Sequence, residues 1–172
     1  MPEIRIYGDP ILRRNAEPIT VFNEELRAFI EQMKKDMYES DGVGLAAPQV
    51  GRAIRLSVVD ATAGEKEPYV LINPEIFYFS QEEEDYNEGC LSVPDITLPV
   101  RRPSVISVRA LDERGNEYTL EEIGGLLARA IQHETDHLNG ILFVDRASPV
   151  RRQLISGKLK KLAKSHRNKP KT

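Results

Sequence analysis

Gly124-Gly125-Leu126-Leu127-Ala128-Arg129-Ala130-Ile131-Gln132-His133-Glu134-Thr135-Asp136-His137-Leu138-Asn139-Gly140 is the stretch on which the architecture turns. From Leu120 the apolar residues recur at helical spacing. Ile123, Leu126, Leu127, Ala130, Ile131 and Leu138 share one broad face, and Gly140 is a natural stop. Within this predicted helix His133 and His137 stand at i and i+4, one turn apart on the same side, where both imidazoles can reach one metal ion. Glu134 sits beside them. A carboxylate there accepts a proton from a water whose pKa the metal lowers to roughly 7 and passes it to a leaving group. That is hydrolytic chemistry at neutral pH.

Upstream, Phe22, Leu26, Phe29, Ile30, Met33 and Met37 predict an amphipathic helix over 22–38, capped by Asn23 or Thr20. Segments 54–59, 69–72 and 76–79 are β-branched or aromatic and read as strands, punctuated by Gly64, Pro68 and Asn73-Pro74. Segments 105–111 and 117–120 flank Asp112-Glu113-Arg114-Gly115-Asn116 and read as a hairpin. Downstream, a second helix begins near Pro149, with Leu154, Ile155, Leu159 and Leu162 as its inward stripe and basic residues outside it. Strands first and helices after imply an α+β domain, with mixed, mainly antiparallel sheets around the central His-Glu-x-x-His helix.

Two histidines need a third ligand. No glutamate follows Glu134, and Phe143 stands where an extended zinc-peptidase motif would place a third histidine. Asp145 and His166 remain possible, but Cys90 is the best candidate. Its thiol, with an ordinary pKa of about 8.5, loses its proton more readily when a cation binds. Three protein ligands leave one position open, as catalytic metal sites do. Around the cysteine, Asn87-Glu88-Gly89-Cys90-Leu91-Ser92-Val93-Pro94 offers a backbone N–H at Leu91 beside the metal, able to hold an oxyanion. The glycine-rich run 42–51 lacks the Gly-Lys-Ser/Thr ending of a phosphate loop, which argues against nucleotide binding. Its one polar side chain, Gln49, can donate to a carbonyl oxygen.

Together, Gly42-Val43-Gly44-Leu45-Ala46-Ala47-Pro48-Gln49, Glu88-Gly89-Cys90-Leu91-Ser92 and Gln132-His133-Glu134-Thr135-Asp136-His137 resemble the three signature motifs of the peptide deformylase family, in order and spacing. The opening Ile6-Tyr7-Gly8-Asp9-Pro10-Ile11-Leu12 and the closing basic helix also resemble bacterial members. The resemblance implies removal of the N-formyl group from the initiator methionine of new polypeptides, with release of formate. It implies one divalent metal per chain, ferrous iron as the native ion, with zinc, nickel or cobalt as substitutes. Cys90, His133 and His137 would bind the metal, Glu134 would be the acid/base, and Gln49 with the Leu91 N–H would hold the oxyanion. Val43, Gly44, Tyr86, Glu88, Leu126, Arg129 and Ala130 would wall the methionine pocket, although Tyr86 and Arg129 stand where aliphatic residues are expected. Glu88 has a second reading, as the partner of Arg102 or Arg101 that holds the cysteine loop.

The chain has 172 residues, 40% of them hydrophobic and 30% charged, which suits one domain with a real core. A single domain is expected over 1–165, deformylase-like by resemblance and including a C-terminal basic helix at 150–165, with a disordered tail at 166–172. No apolar run approaches the roughly 18–20 residues of a membrane span, so no membrane partner is expected. The N-terminus lacks a signal or transit pattern, and the single cysteine excludes an intrachain disulfide. Both point to the cytoplasm. The net charge of −3 divides unevenly: 151–172 carries nine Lys/Arg and no acid, leaving −12 on 1–150. Such a basic helix suits ribosomal RNA as a partner. It also sustains a second reading, an RNA-binding accessory protein with a non-catalytic metal site.

Overall fold

The computed structural model describes residues 3–168. Its strands are β1 (Gly44–Ala46), β2 (Leu56–Val59), β3 (Tyr69–Phe79), β4 (Glu83–Cys90), β5 (Val93–Pro103), β6 (Ile106–Leu111) and β7 (Glu117–Ile123), and its helices are α1 (Glu24–Glu39), α2 (Gly125–Leu138) and α3 (Pro149–Arg167). Five strands form one sheet in the order β1-β2-β3-β6-β7, while β4 and β5 form a separate two-stranded ribbon. Every named strand pair is antiparallel, and one isolated parallel bridge joins Glu17 to Ile54. The architecture is α+β.

Helix α1 starts at Asn23, not Thr20, because the Asn23 side chain accepts the Leu26 N–H at 3.0 Å. Leu26, Ile30, Met33 and Met37 recur every three or four residues and pack on Leu56, Val58, Val70 and Ile72 of the sheet. Residues 69–79, expected as two strands broken at Asn73-Pro74, form one strand with a bulge there. Asn73 adopts φ 49° and its amide grips both the N–H and C=O of Ile19, each at 2.8 Å. Pro74 has no N–H to give, and none is needed, since it falls in the bulge where β3 has no β6 partner between Ile72 and Glu75.

Strand β7 runs to Ile123, so Leu120 and Ile123 serve the sheet and not the helix. Helix α2 then crosses the sheet. Ala128, Ala130 and Ile131 pack against Val59, Leu71, Ile106 and Val108. Arg55 covers its C-terminal end, donating to the Leu138 carbonyl at 3.2 Å and the Asn139 side chain at 3.0 Å.

The ribbon replaces what the sequence suggests is a loop around Cys90. Val93, Ile96, Leu98 and Val100 form its inner face, in one apolar cluster with Leu12, Phe143, Ile155 and Leu159. Ile155 and Leu159 are the buried stripe of α3, but Leu154, expected to face inward, is 79% exposed. Ser148 and Pro149 begin α3 with a side-chain cap and a proline in the first turn. Gly8, at φ 103°, lets α3 approach: a Cβ there would lie 2.8 Å from the Ala163 Cα. Helix α3 includes His166 and Arg167, which the expected tail would have left disordered; residues 169–172 of that tail lie outside the described residues. No helix among the described residues is long and apolar enough to cross a membrane.

Candidate active site

Helix α2 turns one face to the sheet and the other to the ribbon, and the last residue of β4, at the ribbon's turn, is Cys90. The strand register shifts between Gly89 and Cys90, so the chain turns sharply through Leu91-Ser92 and presents the thiol to the helix. Ligand atoms of Cys90, His133 and His137 all lie within 4.8 Å of one another. Cys90 Sγ stands 3.4 Å from His137 Nε2. Metal bonds of about 2.3 Å to sulfur and 2.0–2.1 Å to nitrogen, opened to a tetrahedral angle, would separate these atoms by about 3.5 Å. The donor set fits a single thiophilic cation.

Glu88, on β4, orients the first histidine: its Oε1 meets His133 Nδ1 at 2.8 Å, leaving Nε2 for the cation. His137 is buried, and its Nδ1 has no partner among the described residues. The two rings differ in proton affinity. Burial would lower His133, but hydrogen bonds to Cys90 and Glu88 hold it well above its ordinary value. Burial beside the His133 charge pushes His137 well below.

Glu134 is 4% exposed, its Oε2 has no partner among the described residues, and burial pushes its carboxyl up to about 7. Gln49 lies at the end of a short 3-10 turn over Ala47–Val50. Its Oε1 accepts the Ala46 N–H at 3.0 Å, which fixes the amide so that Nε2 points to Ser92 Oγ at 3.2 Å and Cys90 Sγ at 3.4 Å. Ser92, quoted in the motif but given no role from sequence, is fully buried and also accepts the Tyr7 N–H through its carbonyl.

A cavity of about 550 Å³ opens onto this group. Gln49, Cys90, Leu91, His133 and Glu134 line it, together with all seven residues expected in the methionine pocket: Val43, Gly44, Tyr86, Glu88, Leu126, Arg129 and Ala130. His137 lies behind them, 1% exposed. Two of the seven have other engagements. Glu88 is 5% exposed and accepts from Arg102 at 2.6 and 2.9 Å and from Arg129 at 2.7 Å. Arg129 is 9% exposed, with its guanidinium 5.4 Å from the Tyr86 ring centroid.

Of the other possible metal ligands, Asp145 faces Arg13 and the Leu142 N–H, and His166 faces Asp9 at 3.9 Å. Asp136, inside the histidine motif but unremarked in the sequence, is 7% exposed and joins Arg102 at 2.8 Å and Arg146 at 2.6 Å. An acid on a helix face otherwise committed to metal binding was the one signal that such a network existed.

A Cys/His/His group, an adjoining buried carboxyl and an open cavity define a metal-dependent hydrolase. The polypeptide deformylase family model matches residues 1–153. The chain is 48% identical to a peptide deformylase of Thermotoga maritima over 96% of its own length and 98% of that protein's. It is 43% identical to one of Brucella suis over 95% and 94%. Among solved structures, peptide deformylase 1B of Arabidopsis thaliana superposes with a TM-score of 0.92 at 38% identity, covering 98% and 93% of the two chains. A peptide deformylase from Legionella pneumophila gives 0.87 at 42%, covering 99% of each. The chain belongs to the polypeptide deformylase family, and its reaction is hydrolysis of the N-formyl group of N-terminal formylmethionine, with formate as product.

Proposed function

We propose that Glu134 is the acid/base of this hydrolysis, and that Cys90, His133 and His137 hold the cation beside which it works. The carrying observation is the buried Glu134 carboxyl, whose Oε2 has no partner among the described residues, next to the three donors and lining the same cavity. When bound, the cation supplies Lewis acidity and brings the pKa of a water to about 7. Glu134 takes the proton of the attacking water. It then delivers that proton to the amine nitrogen as the C–N bond breaks, leaving formate and a free methionyl terminus. The Gln49 amide and the Leu91 N–H donate to the oxygen that gains charge as the formyl carbon becomes tetrahedral.

Selectivity follows from size. A formyl carbon carries only hydrogen, so a close-fitting site rejects acetyl by overlap. Val43, Gly44, Tyr86, Leu126 and Ala130 flank the methionine side chain, and the Arg129 stem covers apolar surface beside them. Ferrous iron is the native cation in this reading; the same donors accept zinc, nickel or cobalt. The reaction belongs in the cytoplasm, where formylated chains emerge. Helix α3 meets ribosomal RNA there through Arg151, Arg152, Lys158, Lys160, Lys161, Lys164 and Arg167, all exposed. The domain of action is 1–165 with the rest of α3. The second reading, an RNA-binding accessory with an idle metal site, has no observation in its favour, since it leaves the buried Glu134 unexplained.

The deciding experiment measures formate release from formyl-Met-Ala-Ser by anaerobically purified protein, with metal content determined, beside Glu134→Ala. Formate from the wild type alone, with one metal in each protein, supports the assignment. Metal bound in the wild type without formate would overturn it. For α3, Lys158→Glu with Lys161→Glu should weaken co-sedimentation with ribosomes at moderate salt; unchanged co-sedimentation removes that part.

A further inference from the structure

Arg129 stands one helical turn before His133, on the face of α2 that meets the ribbon. It has no equivalent task in the chemistry above. Its Nη1 donates to Glu88 Oε2 at 2.7 Å and to the Val100 carbonyl at 2.9 Å, and its Nη2 donates to the Glu84 carbonyl at 2.7 Å. One guanidinium thereby joins α2 to both strands of the ribbon that carries Cys90. The Tyr86 ring lies over it, with its centroid 5.4 Å from the guanidinium carbon. The carboxylate it grips is the one whose other oxygen meets His133 Nδ1.

We propose that Arg129 is a positioning residue for the metal centre, fixing the Glu88 carboxylate against His133 and setting the distance between the cysteine ribbon and the histidine helix. The inference rests on the reading of Cys90, His133 and His137 as metal ligands. Arg102 also holds Glu88, through Nε and Nη2, but its third contact runs to Asp136 on α2 and not to the ribbon backbone at Glu84 or Val100. Only a planar fork with several donors can satisfy a carboxylate and two carbonyls at once. A lysine ammonium is a single point and can replace at most the two contacts made by Nη1. Loss of such an outer partner typically costs about 10–100-fold in metal affinity.

The test compares wild type, Arg129→Met and Arg129→Lys in the cobalt-loaded form. Release of cobalt to a chelator is followed through its visible absorption, and kcat and KM are measured for formyl-Met-Ala-Ser. Arg129→Met should release cobalt about 10–100-fold faster with a shifted spectrum, and Arg129→Lys should recover part of the loss. Glu88→Gln should have a similar effect, and the double variant Arg129→Met/Glu88→Gln should be little worse than either. Cobalt release and spectrum at wild-type values, with KM raised or the preference for methionine over norleucine altered, would overturn the proposal and leave Arg129 a pocket wall. Additive effects of the two substitutions would overturn the route through Glu88. Failure of the wild type to bind cobalt would instead refute the ligand assignment itself, and this proposal with it. A destabilised Arg129→Met that nonetheless keeps the wild-type spectrum and release rate would show a merely structural role.

Discussion

Gly44 and Glu134 are packed so closely that a methyl group on Gly44 would stand 2.5 Å from Glu134 Oε1 and 2.9 Å from its Cγ and Cδ. The glycine is required for space and not for its backbone angle, since Gly44 is not among the residues with positive φ. Gly44→Ala should therefore displace the carboxyl. We expect formate release to fall by about two orders of magnitude or more, the scale of a lost general acid/base, with one metal still bound. Activity within a fewfold of wild type would show that Glu134 can shift without cost.

The Ala46 N–H fixes Gln49 Oε1, and Nε2 is thereby turned to Ser92 Oγ and Cys90 Sγ. Gln49→Leu keeps the volume and removes the donor. The expected loss is about 10²–10³ in kcat with little change in KM, as when an oxyanion donor is deleted. A loss confined to KM would place Gln49 in ground-state binding instead.

Asp145 gives a pH dependence. Burial would raise it, but the hydrogen bond and charge of Arg13 and the Leu142 N–H bring it below its ordinary value. A carboxyl lowered in the folded state stabilises above its unfolded pKa, and the contribution is lost as pH falls through the lower folded value. Wild type should thus melt above Asp145→Asn at pH 6, and the gap should close progressively below about pH 4, near the unfolded value. Thermal melts across pH 2–7 check this; a gap that widens in acid would contradict it.

Gly8→Ala carries a double penalty, a left-handed φ of 103° and a contact of 2.8 Å with Ala163 Cα. We expect a loss of about 1–3 kcal/mol. That lowers the melting temperature by roughly 3–10 °C in a chain of this size. Metal content should not change, because neither Gly8 nor Ala163 belongs to the Cys90, His133 and His137 group or lines the cavity beside it.

Much of this was open to reading in the sequence, and the omissions have physical causes. The His-Glu-x-x-His spacing needs only helical geometry, so the pair and its neighbour were legible at once. Cys90 followed from the scarcity of other ligands. The β4–β5 ribbon was not legible, because Glu82-Glu83-Glu84-Asp85 reads as solvated loop and Pro94, Pro99 and Pro103 interrupt the alternation of Ile96, Leu98 and Val100. Two-stranded ribbons can carry charges on both outer faces and prolines at free edges, which propensity does not anticipate. Leu154 was misplaced because helical period gives a face but not how wide a strip the rest of the protein covers. The Glu88–Arg102 pair was read from the sequence and is present, but its extension through Asp136, Arg129 and Arg146 joins residues far apart in the chain, and only the acid at Asp136 hinted at it.

The donors at the metal centre belong to two bodies, a ribbon that turns at Cys90 and a helix bearing both histidines, joined in sequence only through β6 and β7. A cation gripping both is thus a removable cross-link, and its occupancy is tied to folding by mass action. At a free concentration one hundred times its dissociation constant it adds about 2.7 kcal/mol to the folded state. Chelation should lower the melting temperature in step with metal lost, and Cys90→Ser should erase most of that dependence. Metal supply would then govern how many folded copies survive proteolysis as well as what share of them is active.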